Sequence, residues 1–150
     1  MNLKAYKVEK NDLKTVFLIL EKMNTDPVGA LSTDQVTNLL SDDRTYLFAV
    51  KQEDTIIGYA LAYKFPSLFD SDYLAYLYDI EVLHTHRRIG AGRLLMETLL
   101  QRLKADKVRE LWLGTATENV AGQALFGRTG GIKSGEHLMI TFIYLISKKR

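Results

Sequence analysis

The run from Asp79 to Arg93, Asp-Ile-Glu-Val-Leu-His-Thr-His-Arg-Arg-Ile-Gly-Ala-Gly-Arg, constrains this chain more than any other. It reads as the end of a strand, a tight loop and the first turn of a helix. Upstream, Leu74 to Val82 is rich in Tyr, Leu, Ile and Val, the composition of a strand. Downstream, Leu95, Leu99 and Leu103 recur every four residues with Met96 and Leu100 beside them, the stripe of a helix packed on a sheet. Between the two stands Arg87-x-x-Gly90-x-Gly92.

A glycine-containing loop that opens a helix can hold an anion. The first N–H groups of a helix have no internal partner, and the aligned peptide dipoles place partial positive charge there. Gly90 and Gly92 lack Cβ atoms that would block a phosphate, and Arg87, Arg88 and Arg93 add charge around the turn. A pyrophosphate or similar polyanion is therefore expected on this loop; the alternative is a surface turn with incidental arginines. Two other phosphate motifs do not fit. No Gly-x4-Gly-Lys-Ser/Thr occurs, and Leu95 stands where a Gly-x-Gly-x-x-Gly needs its third glycine.

The remaining bounds are broad. The 150 residues suit one domain, expected to span 1–150, and 47% hydrophobic with 25% charged residues allows a sizeable core. A net charge of +2 gives no reason to expect nucleic acid. The absence of cysteine excludes a disulfide scaffold, a zinc-thiolate site and a cysteine nucleophile. No apolar run is long enough for a bilayer and the first residues lack a signal-peptide core, so a cytoplasmic protein without membrane contact is expected. His84 and His86 flank the loop without a further ligand cluster, so no metal is expected.

Taken in order, Leu3 to Val8 reads as an edge strand, and Asn11 or Asp12 caps a helix to about Met23. Asn24 to Gly29 breaks it, and Ser32-x-x-Gln35 is a capping box for a second helix to about Leu40. Thr45 to Lys51 and Thr55 to Phe65 form a hairpin. Leu111 to Gly114 is a short strand, parallel to Leu74–Val82 because a helix separates them. A helix led by Thr115–Asn119 stops near Gly130-Gly131. Ile132–Ser134 and Leu138–Ser147 close the chain; the last is too continuously apolar for an exposed edge and belongs inside the sheet.

Asp79 and Glu81 are two apart on one strand, so their side chains share a face. Carboxylates on a central strand beside an anion loop are costly to bury unpaired, which points to a general base or to binding of a cationic acceptor. Asp79 is the first candidate and Glu81 the second; the alternative is that they face solvent or pair with arginines. A thioester beyond the strand end would find N–H groups near Val82 for its carbonyl oxygen.

The arrangement resembles the Gcn5-related N-acetyltransferase (GNAT) superfamily, in which Arg/Gln-x-x-Gly-x-Gly/Ala follows the fourth strand. A second segment, Asn119-x-x-Ala-x-x-Leu-Phe126-x-x-x-Gly130, resembles that superfamily's Asn-x-x-Ala-x-x-Leu-Tyr-x-x-x-Gly-Phe. The resemblance implies a mixed α/β fold: a mostly antiparallel sheet of about six to seven strands, about four helices, and parallel fourth and fifth strands that splay. It implies acetyl-coenzyme A as co-substrate, its pyrophosphate on Arg87, Arg88, Ile89, Gly90, Ala91, Gly92 and Arg93. The pantetheine arm would then run along the strand at Ile80 and Val82, with Asn119 and Phe126 also toward the donor. Phe126 departs from the pattern: a tyrosine there is a candidate general acid, and phenylalanine has no proton to give. Either the thiolate leaves unaided, another residue such as Tyr78 serves, or Phe126 only packs.

A narrower resemblance concerns the acceptor. Tyr78-Asp79-Ile80-x-Val82 with His86-Arg87-Arg88-x-Gly90, and Glu136-His137-Leu138-Met139, are similar to stretches of the aminoglycoside 3-N-acetyltransferase branch. That implies a small-molecule amine acceptor contacted by Tyr78, Asp79 and Glu136. The acidic residues Asp70 and Asp72 are expected to gather on the same side. The alternatives are another amine, such as a polyamine, a peptide or a protein N-terminus, or a non-catalytic acetyl-coenzyme A-binding module. A homodimer is common among similar proteins.

Overall fold

A computed structural model describes residues 2–23, 31–136 and 139–147. The elements are β1 (Leu3–Lys7), α1 (Leu13–Met23), α2 (Thr33–Ser41), β2 (Thr45–Gln52), β3 (Thr55–Pro66), β4 (Tyr73–Val82), α3 (Ala91–Ala105), β5 (Val108–Ala116), α4 (Val120–Arg128), β6 (Ile132–Glu136) and β7 (Met139–Leu145). The expected break at Asn24–Gly29, the start of the last strand at Leu138 and the tail 148–150 lie outside the described residues.

Local chemistry sets the element ends. Asp12 caps α1: its carboxylate accepts the Thr15 N–H at 3.1 Å and the Thr15 hydroxyl at 2.7 Å. Ser32 and Gln35 form the expected capping box of α2, with reciprocal bonds of 3.2 and 2.8 Å. Beyond α4, Gly130 takes φ 101°, a left-handed conformation that ends the helix without a Cβ penalty.

The sheet has seven strands in the order β1-β2-β3-β4-β5-β7-β6. β4 and β5 pair in parallel; every other neighbouring pair is antiparallel. β1 is an edge strand, β2 and β3 form the hairpin, and the apolar β7 sits between β5 and β6, as its composition requires. β5 is longer than its apolar center, because Val108 to Glu110 and Thr115 to Ala116 also find partners.

The two sheet faces are covered differently. On one, Leu95, Met96, Leu99 and Leu103 of α3 are fully buried in a cluster with Phe48, Val50, Ile57, Leu77, Leu111 and Phe126. On the other, Val16 and Ile19 of α1 and Val36 and Leu40 of α2 bury Leu47, Ala49 and Ile56, and that cluster ends at Tyr59 and Leu61 of β3. The far half of this second face, on β4, β5 and β7, belongs to neither cluster.

Candidate active site

β4 and β5 part company within the sheet. Their parallel pairing runs from Tyr73↔Val108 to Tyr76↔Trp112 and stops, while β5 stays paired to β7 as far as Ala116. From Leu77 to Val82, the main-chain groups of β4 that face away from β3 therefore have no strand to bond. An open edge inside a sheet can accept an extended ligand arm as an added strand.

A β-bulge lies at the opening. Leu61 of β3 pairs with Asp79, but its neighbor Ala62 pairs with Leu77, so Tyr78 is the extra residue. The bulge shifts the alternation of β4. Leu77 before it and Ile80 and Val82 after it all pack on the α3 side, which leaves Tyr76, Tyr78, Asp79 and Glu81 for the other face.

After Val82 the chain makes one 3-10 turn at His84–His86, then the loop and α3. Arg88 has φ 65° and Gly90, the N-cap of α3, has φ 91°. Gly90 is needed for that conformation, and no atom lies within 4 Å of where a Cβ would sit. Among the described residues no side chain caps α3, and its first turn carries no carboxylate, so its first N–H groups have no side-chain partner there. Gly92 is used differently: a Cβ there would stand 3.2 Å from Leu125, so its smallness lets α4 approach α3.

The three arginines separate. Arg87 turns back and donates from Nε to the Val82 carbonyl at 3.2 Å, tying the loop to the open edge of β4. Arg93 pairs with Glu97 at 2.7 Å, one helical turn on. Arg88 is exposed, with no partner among the described residues.

Asp79 and Glu81 share a face, as their spacing predicts. Asp79 is half-buried and accepts a hydrogen bond from the Tyr59 hydroxyl. Burial, followed by that bond and the charge of Asp79, pushes the Tyr59 phenol far above its ordinary pKa, so it stays a donor. Glu81 is exposed. Tyr59 was not foreseen from the sequence: it stands twenty residues away and meets Asp79 only through the β3–β4 register.

An open β4 edge ending at an uncapped, arginine-flanked helix start, with two carboxylates on the face behind it, suits transfer of an acyl group from a phosphate-bearing carrier. Residues 13–131 match the acetyltransferase (GNAT) family. The chain belongs to that family. It is accordingly an N-acetyltransferase whose acetyl donor is acetyl-coenzyme A. No curated protein matches it by sequence. Among solved structures, it is similar to the aminoglycoside acetyltransferase meta-AAC0020 from an uncultured soil metagenomic sample, in complex with sisomicin (TM-score 0.81, 19% identity, 90% of this chain and 93% of that one). It is also similar to the ribosomal-protein-S18-alanine N-acetyltransferase from Escherichia coli (TM-score 0.72, 22% identity, 99% and 97%). Arabidopsis thaliana NAA60 in complex with acetyl-CoA is a third (TM-score 0.70, 14% identity, 96% and 99%). At these identities the likeness shows the fold.

The acetyltransferase places its other sequence-predicted residues as follows. The Asn119 side chain is spent within the protein: it accepts the Gly122 N–H at 3.0 Å as the N-cap of α4 and donates to Thr115 Oγ1 at 2.9 Å. Phe126 is buried on the α3 side, its ring 5.6 Å from that of Phe142. The Tyr144 hydroxyl donates to the Phe126 carbonyl at 3.1 Å, and burial pushes the pKa of that phenol up to about 12. Tyr78 is 69% exposed on the opposite face. Glu136 ends β6, and its side chain, with His137 and Leu138, lies outside the described residues.

Asp70 and Asp72 do not join Asp79. Both lie in the β3–β4 turn before Tyr73, roughly 20 Å along the strand from Asp79 at about 3.3 Å per residue. Asp70 pairs with the half-buried Arg109 at 3.2 Å and receives the Asp72 N–H at 2.9 Å, so these acids hold the turn. A polar cavity of about 490 Å³ also lies toward that end of the sheet, lined by Lys7, Tyr46, Lys64, Arg102 and Asp106 among others. Its charges largely pair with one another, as in Lys10–Asp43 at 3.3 Å and Arg102–Asp106 at 3.1 Å, and it is remote from the β4–β5 opening. Among the described residues no His, Asp and Glu cluster suits a metal and no helix is long and apolar enough to cross a membrane.

Proposed function

We propose that the enzyme acetylates a primary amine of a polyamino sugar, in the narrowest form the 3-amino group of an aminoglycoside, with Asp79 as proton acceptor and Glu81 as a second acceptor-binding carboxylate. One observation carries this reading: both carboxylates stand on the same face of β4, just past the point where β4 leaves β5. The solved structures of like fold include aminoglycoside acetyltransferases and a ribosomal-protein-S18-alanine N-acetyltransferase, so the choice rests on these residues.

The donor supplies an acetyl group as a thioester, whose thiolate is a good leaving group. The loop from Arg87 to Arg93 fits its phosphates, since the α3 N-terminus is uncapped and open at Gly90. The main-chain edge from Leu77 to Val82, Ile80 and Val82 included, lies beyond the β5 pairing and fits its amide-bearing arm, with the Val82 carbonyl already taken by Arg87 Nε. Arg87 joins the two features, since it stands on the loop and its Nε donates to the Val82 carbonyl.

An ammonium has no lone pair, so the acceptor must lose a proton before it attacks. Asp79 is placed to take it, directly or through water, a role worth about 10²–10⁴-fold. The Tyr59 hydroxyl occupies one oxygen of Asp79 and leaves the other for the amine. Phe126 contributes packing and no proton. Tyr78, the exposed bulge residue, offers a phenol on the acceptor side.

Coenzyme A release from acetyl-coenzyme A, measured over aminoglycosides, spermidine, amino acids and short peptides, tests the reading. Turnover with an aminoglycoside and an acetyl group located at the 3-amine is the expected result. Turnover confined to peptides or linear amines would overturn the sugar acceptor and keep the transfer chemistry.

A further inference from the structure

The face that carries Asp79 and Glu81 also carries aromatic side chains that neither core cluster uses. Tyr76 and Trp112 are partners in the last pair of the β4–β5 ladder and are 40% and 42% exposed. Tyr78 is the bulge residue beside them. Tyr63 of β3 pairs with Tyr76 from the other side and is half-buried. The cover of α1 and α2 stops short of all four, at Tyr59 and Leu61. Large rings left in water forfeit the free energy of burial, and a contiguous set of them marks a contact surface.

These rings are also held in place. The Trp112 indole N–H donates to Glu110 Oε2 at 3.0 Å, and the other Glu110 oxygen takes Arg109 at 3.0 Å. Arg109 in turn reaches Asp70 at 3.2 Å. The polar edge of the indole is thus satisfied within the protein while its apolar surface stays accessible. Tyr76 leans toward β5: its hydroxyl lies 3.9 Å from where a Cβ on Gly114 would sit. It spans the strands just below the point where they part.

We infer that Tyr63, Tyr76, Tyr78 and Trp112 form the floor of the acceptor pocket and select an amine borne on a rigid saturated ring, whose C–H face stacks on the aromatic rings. This rests on the acceptor reading given above and narrows it. Aromatic faces attract ammonium groups and stack on flat apolar surface, while Asp79 and Glu81 at the edge of the floor draw the cationic end toward the β4–β5 opening. A ring with several ammonium groups offers both kinds of contact in a fixed geometry. A linear polyamine offers charge without a flat apolar face.

Trp112 is the only tryptophan of the chain, so its fluorescence reports on the floor directly. Sisomicin titrated into the enzyme with coenzyme A bound is expected to change Trp112 emission saturably, and spermidine to do so about tenfold more weakly. Trp112→Ala should raise the sisomicin KM about tenfold with kcat nearly kept, Trp112→Phe should restore most of it, and Tyr78→Ala should raise KM by a smaller factor. Acetyl-coenzyme A binding, followed by calorimetry, should be the same in all variants. Unchanged emission with sisomicin, equal affinity for spermidine, or a KM untouched by both Trp112→Ala and Tyr78→Ala would overturn the inference while donor binding persists. Failure of the wild-type enzyme to use any ring-borne amine, with turnover of peptides, would instead remove the acceptor reading beneath it.

Discussion

The two faces of the sheet are built to different ends. Under α3 the central side chains are enclosed: Leu95, Met96, Leu99 and Leu103 meet Phe48, Val50, Ile57 and Leu111 with almost no exposed area. The opposite face is enclosed only as far as β3. From there outward it shows Tyr76, Tyr78 and Trp112 to solvent beside the carboxylates Asp79 and Glu81. One face therefore commits its area to stability, and half of the other is left exposed. The bulge at Tyr78 joins the two. It lets Leu77 and Ile80 serve the same core, and so puts consecutive residues Tyr78 and Asp79 at the exposed face.

If the faces are separable in this way, substitutions on them should fail differently. On the open face, Asp79→Asn should lower kcat by about 10²–10⁴-fold and leave thermal unfolding close to wild type. An equal loss of stability would join the faces again. On the closed face, Leu99→Ala should cost about 2–5 kcal/mol in denaturant unfolding, because the neighbors cannot collapse fully into the space. The enzyme that remains folded should keep its kcat.

Arg87 sits where the faces meet. Arg87→Glu should weaken acetyl-coenzyme A binding tenfold or more by calorimetry, about the loss of one charge-assisted contact. It also removes the bond to the Val82 carbonyl. Unchanged affinity would dissociate the loop from the donor. Tyr59→Phe should act more mildly, about tenfold on kcat, since Asp79 keeps its charge and loses one donor. Its signature is a lower kcat with thermal unfolding and acetyl-coenzyme A affinity unchanged, which a purely structural role would not give.

What could be read from the sequence divides along the same line. Spacing alone placed the α3 stripe, the Ser32 capping box and the interior position of β7, because each depends on neighbors within a few residues. The loop and helix start from Arg87 to Arg93 were legible for the same reason. The bulge was not: nothing in Tyr-Asp-Ile-Glu marks Tyr78 as extra, and its existence depends on how β4 registers against β3. Tyr59 and the aromatic floor follow from that register and were equally hidden. Asp70 and Asp72 misled because nearness in sequence to Asp79 is not nearness in space along an extended strand. Asn119 belonged to the family-like segment, yet its place at the start of α4 gave it a cap to make.

The smallest effect lies at the far end of α3 and tests whether the closed face is silent in catalysis. Asp106, the C-cap of α3, receives the hydroxyl of the buried Tyr46 at 2.7 Å and Arg102 Nε at 3.1 Å. Burial by itself would raise its carboxyl, but these two donors together with the positive charges of Arg102 and Lys64 outweigh burial and hold it below the ordinary value of 3.8. A carboxyl depressed in the folded state favors folding while it is ionized. Its contribution is complete above the unfolded value and is lost as the pH falls through the folded one. The difference in unfolding free energy between wild type and Asp106→Asn should thus be constant above about pH 5 and shrink below 3.8. Urea unfolding from pH 7 to pH 2.5 measures it. Asp106 stands at the opposite end of the 15-residue α3 from Gly90, about 24 Å away at 1.5 Å per residue. The kcat profile of Asp106→Asn should therefore overlay that of wild type. A displaced profile would mean that charge at the base of the closed face reaches the acceptor site, and the two faces would have to be treated as one electrostatic unit.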